Sequence, residues 1–158
     1  MTSSQDVEIS HLQRRKIEGR VLIPFIETLK ERLGEEATRE LVDLTIRRLA
    51  VKDGARWAEI YGQGTAALGR LAEELWAGGG SMDIQVVSQS DDHLDFNVTR
   101  CQYAEFYQDM GLADVGYRVH CNRDHAMVAG FDEGLELARS QTLMEGAGCC
   151  DFRFRKKP

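Results

Sequence analysis

The chain predicts an α+β fold: an N-terminal helical layer packed on a roughly four-stranded antiparallel sheet that carries inserted helices. Three observations point to it. Apolar residues recur at helical spacing as far as Ala77, the run Gly78-Gly-Gly-Ser81 interrupts the chain, and beyond it the hydrophobic period drops from about 3.6 residues to about 2. At 158 residues a single domain is the economical reading, with 1–77 as the helical layer and 82–155 as the sheet-forming half.

The elements follow in order. From about Asp6, the residues Ile9, Leu12, Ile17 and Val21, then Phe25, Ile26, Leu29 and Leu33, mark a first helix. Gly19 and Pro24 predict a kink or break in it and Gly34 a stop. A second helix is expected over 35–51, its apolar sector made of two adjoining stripes, Ala37, Leu41, Leu44, Arg48 and Val42, Ile46, Leu49, Ala50, with Asp53-Gly54 turning the chain. A third covers Ala55 to Ala77, weakened by Gly62 and Gly64; its aromatic residues, Trp57, Tyr61 and Trp76, read as core rather than as a ligand cage. After the glycines, Ile84 and Val86, then Leu94, Phe96 and Val98, alternate with polar neighbours across Asp91-Asp92, which predicts a hairpin. Gln102 to Met110 returns to helix, Leu112 to His125 forms another, and Leu135 to Leu143 with Cys150 to Phe154 supplies a second strand pair joined across Glu145–Gly148.

A formal net charge of −6 argues against a chain-wide nucleic-acid footprint, because phosphate binding needs a dominant basic surface. No apolar run approaches the roughly 18 residues of a membrane span, and the polar start lacks the order of a signal peptide. The expected compartment is therefore the cytoplasm, with reduced cysteines. The expected partner is a small molecule rather than nucleic acid or membrane, no cofactor is called for, and a homo-oligomer stays open.

All four cysteines fall in the last third, among acids and arginines. If 112–125 is one helix, Tyr117, Cys121, Asp124 and His125 share a face. On the last strand, period two sends Cys150, Phe152 and Phe154 to the core and leaves Asp151 and Arg153 on the other face, placed to pair. Cys101 ends the hairpin. Three separate segments thus each deliver a thiol at an element end, which predicts that at least two of these sulfurs share a pocket. Cys149 reads as a small buried hydrophobe outside it, and the adjacent pair Cys149-Cys150 is not expected to bridge. His120 and His125 read as surface or hydrogen-bonded histidines before catalysts; His11 and His93 carry no assignment. Closely spaced zinc-ligand pairs are absent, so a metal site would need Cys101, Cys121 and Cys150 together, or Cys121 with His125 and one other thiol.

The order of Cys101, Cys121-x-x-Asp124, Arg139-Ser-x-Thr142-Leu143-x-x-Gly146 and Cys150-Asp151-Phe152-Arg153 resembles the L-2-amino-thiazoline-4-carboxylic acid hydrolase family. The resemblance covers Val98 to Arg155 closely and the helical half in general character. It departs at Ser140, where threonine is expected, at the additional Cys149, and at Phe131–Gly134, which lacks an expected proline. Neither His120 nor His125 belongs to the pattern.

What the resemblance implies is hydrolytic opening of a small cyclic amidine or cyclic amide at a carbon bonded to nitrogen and sulfur, giving an N-carbamoyl amino acid. Such a centre wants a nucleophile, carboxylates against its cationic N–H groups and a cation for the substrate's own carboxylate. On that reading Cys121 or Cys101 is the nucleophile, with Cys150 the third thiol. Asp124 and Asp151 face the amidinium, Arg139 or Arg153 with Thr142 binds the carboxylate, and His125 could donate a proton. An ionised Asp124 beside Cys121 suppresses the thiolate, which a cationic substrate between them would reverse. Two other classes stay open: a zinc hydrolase with Cys101, Cys121 and Cys150 as ligands, and a non-enzymatic small-molecule sensor module.

Overall fold

The first helix begins where a capping box forms: Ser10 accepts from the Gln13 amide while the Gln13 side chain takes the Ser10 N–H. In the computed structural model, which describes residues 9–158, α1 then runs unbroken over His11–Leu33 with Pro24 inside it. The expected start at Asp6 lies outside the described residues, and neither Gly19 nor Pro24 breaks the helix. Gly34, at φ 83, stops α1 as expected and opens α2. That helix spans Glu35–Tyr61 without interruption, so Asp53-Gly54 does not turn the chain. Of its two expected stripes, Val42, Ile46 and Ala50 are buried with Thr38 and Gly54, while Leu41, Leu44 and Leu49 are exposed. The third helix is cut short at Gly62 and Gly64, both at positive φ. α3 therefore covers Thr65–Leu71 and passes into a π turn over Ala72–Trp76.

Beyond the glycines, β1 (Met82–Gln89) and β2 (His93–Cys101) form the expected hairpin, and α4 (Gln102–Gln108) follows. The single helix expected over 112–125 is two. α5 (Ala113–Val119) ends at His120, a 3₁₀ turn covers Cys121–Arg123, and α6 runs over Asp124–Phe131. The break falls where the His120 ring lies parallel to Tyr103, centroids 4.4 Å apart. β3 (Leu135–Ala138) is shorter than expected, because the Ser140 and Gln141 amides bind the Asp151 carboxylate instead of a neighbouring strand. β4 (Cys150–Lys156) completes a four-stranded antiparallel sheet in the order β1-β2-β4-β3.

The register places the core. Leu94 pairs with Phe154, Phe96 with Phe152 and Val98 with Cys150, so β2 and β4 bury these residues on one face. The N-terminal helices pack on this sheet, with α3 against β2. β1 lies at the edge with two register shifts, and Val86 is exposed there. α6 packs against β3 and crosses α2 at backbone contact. A Cβ on Gly54 would stand 2.1 Å from the Met127 carbonyl oxygen, and one on Gly130 2.1 Å from that of Val51.

Candidate active site

The three thiols converge from three elements. Cys101 closes β2, Cys121 opens the 3₁₀ turn after His120, and Cys150 opens β4 beside Val98. All three line one cavity of about 60 Å³, and Asp124 and Arg139 line it with them. That is several times the roughly 10–15 Å³ one water needs, so the space suits a small ring. Arg139, whose side chain is 4% exposed, donates through Nη1 to Asp124 and through Nη2 to the Cys121 carbonyl at 3.2 Å, and its guanidinium lies over the Phe152 ring. Trp57, Trp76, Met82, Tyr103, Met127 and Phe152 form the apolar wall. The far wall, formed by His11, Arg15, Asp53, His120 and Arg123, comes from α1, α2 and the turn between α5 and α6.

Burial dominates the electrostatics. It pushes the Cys101 thiol up to about 11, opposed by the Ala104 and Tyr103 amides near its sulfur. Cys121 is pushed well above the usual thiol range by burial and then by Asp124, with Arg139 pulling the other way. Burial also raises Cys150, whose sulfur accepts the Leu143 N–H at 3.2 Å. The Asp124 carboxyl rises through burial, against the pull of Arg139. Both cavity histidines are held neutral: burial, helped by Arg15 and Arg123, lowers His11 to about 4 and His120 well below its ordinary value. Burial thus favours the protonated form of all three thiols.

The family model for L-2-amino-thiazoline-4-carboxylic acid hydrolase matches residues 14–154. The chain belongs to that family. No curated protein matches it. Among solved structures, it is similar to the phenol-responsive sensory domain of the transcription activator PoxR, crystallised with phenol, with a TM-score of 0.55 and 12% identity over 90% of this chain and 74% of that one. It is also similar to a trafficking protein particle complex subunit 3 from Naegleria fowleri covalently bound to palmitic acid, with a TM-score of 0.53 and 7% identity over 92% of this chain and 96% of that one. At such identities the likeness is one of fold.

Within this L-2-amino-thiazoline-4-carboxylic acid hydrolase family chain, the structure brings together five of the residues singled out by sequence: Cys101, Cys121, Cys150, Asp124 and Arg139. Four others lie outside the cavity lining. Asp151 and Arg153 do not pair. Asp151 accepts the Ser140 hydroxyl at 2.6 Å as well as two amides, whereas Arg153 donates to the Phe96 and Phe152 carbonyls and to Asn97. Thr142 is 2% exposed and caps the 3₁₀ turn over Leu143–Glu145 through its bonds with Glu145. His125 is exposed, because the break at His120 ends the helical face it was expected to share with Cys121. Cys149 stays outside as expected, but it is half-buried and accepts from the Gln141 side-chain amide at 3.2 Å instead of packing as a buried hydrophobe; all four cysteines are free thiols.

No group of three or more His, Cys, Asp or Glu among the described residues is arranged to hold a metal ion, so the three-thiol zinc reading has no ligand set here. Nor is any described helix long and apolar enough to cross a membrane. The sequence reading missed His11, Arg15, Asp53, His120 and Arg123, and it assigned Trp57 and Trp76 to core alone. The available signal was position. His11, Arg15 and buried Gly19 fall four apart on α1, and Ala50, Asp53 and Trp57 three and four apart on α2, which puts charge inside an inward stripe.

Proposed function

We propose that the chain is a hydrolase that opens a small cyclic amidine, 2-aminothiazoline-4-carboxylate or a close analogue, inside the three-thiol cavity. What carries the reading is the convergence of Cys101, Cys121 and Cys150 with the Asp124–Arg139 pair on one enclosed space in a chain of this family. Cys101 is the proposed nucleophile. The Ala104 and Tyr103 amides favour its thiolate, whereas Cys121 has Asp124 beside it.

The ring's N–H groups dock on the Asp124 carboxylate, and Asp124 passes the Cys101 proton to the ring sulfur. The Cys101 sulfur bonds to the amidine-like carbon and the ring carbon–sulfur bond breaks, leaving an isothiourea on Cys101. Water then adds to the same carbon, the bond to Cys101 breaks, and one water proton returns to its sulfur. One water is consumed, and an N-carbamoyl amino acid with a free thiol is released. Arg139 holds Asp124 in place and offsets its charge near the thiols.

Hydrolysis of 2-aminothiazoline-4-carboxylate, followed as free thiol, tests this. We expect turnover by the wild type and a loss of roughly a thousand-fold or more in Cys101→Ala. Wild-type rates in a folded Cys101→Ala variant defeat the covalent route through Cys101, and the same result in Cys121→Ala as well defeats thiol attack altogether. One observation favours a second reading: the wall of Trp57, Trp76, Met82, Met127 and Phe152 also suits an effector-binding module, as the likeness to a phenol-responsive domain suggests. Ligand binding with no turnover of any cyclic amidine or amide would favour that module.

A further inference from the structure

Two arginines stand where an open groove meets the closed cavity. The groove, about 810 Å³ between α1 and α2, shares His11, Arg15, Asp53, Trp57 and Arg123 with the inner space. Nη2 of Arg15 and Nη2 of Arg123 converge on one oxygen of Asp53, Oδ2, at 3.2 and 2.5 Å, and Arg15 Nη1 donates to Glu18 at 2.7 Å. A guanidinium carries about five N–H donors. Yet the Arg123 side chain, only 10% exposed, makes a single hydrogen bond among the described residues, and the buried Nε of Arg15 has no partner among them. A buried cationic donor without an acceptor, as at Nε of Arg15, is costly, and an anion placed beside the two guanidiniums would give it one and engage the Arg123 donors that Asp53 leaves free. The charge balance agrees. Asp53 and Glu18 answer Arg15 and Arg123, but the groove lining adds Arg14 and Arg56 with no further acid, so the mouth as a whole carries an excess of positive charge.

We propose that Arg15 and Arg123 form the seat for a ligand carboxylate at the cavity mouth, with Asp53 as an internal stand-in that keeps the two guanidiniums side by side until the ligand shares them. The inference rests on the small-ring reading above for its ligand class, but it concerns binding and is testable without turnover. Arg139 is not this seat, because it is committed to Asp124 and the Cys121 carbonyl. Arg123 and Cys121 belong to the same 3₁₀ turn, so a ring seated by its carboxylate would present its opposite edge toward the thiols.

Trp57 and Trp76 line the cavity, so tryptophan fluorescence reads binding directly. Dissociation constants are compared for two matched pairs, 2-aminothiazoline-4-carboxylate against 2-aminothiazoline and benzoate against benzamide. The proteins are the wild type, Arg123→Gln and Asp53→Asn, each checked by circular dichroism. Arg123→Gln is expected to weaken the carboxylated members about ten-fold or more and leave their carboxylate-free partners within about two-fold. Asp53→Asn, which removes the competing carboxylate, is expected to tighten the carboxylated members several-fold. This variant decides alone if Arg123→Gln does not fold. Equal changes within a pair, or a carboxylate affinity that falls in Asp53→Asn, overturn the seat and leave the cluster as a strut tying α1 to α2. If the thiazolines do not bind while benzoate still outbinds benzamide and follows the variants, the ring reading falls and the seat stands. If neither carboxylate outbinds its partner in the wild type, the seat falls.

Discussion

His120 lies flat on Tyr103 inside the cavity wall, and burial keeps its imidazole neutral. Its folded pKa lies below the unfolded value near 6.5. The unfolded chain therefore binds a proton that the folded one refuses, and stability falls as pH drops below that value. His11 acts in the same sense, its loss continuing down to about pH 4. The midpoint of thermal unfolding should thus fall between pH 7 and 5. His120→Phe, which keeps an aromatic ring on Tyr103 and cannot be protonated, should flatten that profile by up to about 1.4 kcal/mol per pH unit. An identical pH profile in the variant would mean that His120 takes up its proton equally in the folded and unfolded chains, against the neutral, buried imidazole described here. Asp151 acts in the same direction, at lower pH. Burial pushes its carboxyl up, but the Ser140 hydroxyl and the Gln141 and Ser140 amides outweigh this and hold it below the usual range. Its contribution is present above about pH 4 and is lost as pH falls through the lowered value.

The crossing of α2 and α6 fixes where Asp124 sits, since Asp124 opens α6. An alanine Cβ at Gly54 or Gly130 would stand 2.1 Å from a carbonyl oxygen of the opposite helix, so the backbones must separate to admit it. Gly54→Ala and Gly130→Ala should each cost about 3 kcal/mol in urea unfolding. The double variant should cost less than the sum, because both enlarge one contact. Losses under about 1 kcal/mol would show that α6 can slide at no great expense. This crossing explains what the sequence could and could not say about elements. Gly34, the triple glycine and the Asp91-Asp92 turn were legible because each acts on its own neighbours. Asp53-Gly54 carries the same local signature, yet here the glycine answers to a second backbone arriving from α6, which no local pattern reveals. The break at His120 escaped for a related reason: it coincides with a stack on Tyr103 from a different element.

Over the whole molecule, the sheet supplies Cys101 and Cys150, the α5–α6 turn supplies Cys121 and Arg123, and the two long helices close the space with His11, Arg15, Asp53 and Trp57. The sheet side of this site was legible in the sequence, because thiols beside acids and arginines are chemically distinctive and matched a family order. The helical side was not. Arg15 and Asp53 resemble any surface charge until α1 and α2 are folded against the sheet, whereas Arg153 and Asp151 looked equally suitable until β4 turned them away from the cavity, and Thr142 until it capped the turn over Leu143–Glu145. Cys101 is proposed to react with a ring held in the cavity it shares with Cys121 and Cys150. Peptide mass mapping after acid quench, on wild-type protein turning over 2-aminothiazoline-4-carboxylate and counter-labelled with iodoacetamide, tests it most directly. A ligand-derived mass is expected on the peptide containing Cys101, with slowed alkylation of Cys121 and Cys150 and unchanged alkylation of Cys149. Absence of any adduct, with all four thiols alkylated equally in the presence and absence of the ring, would contradict it.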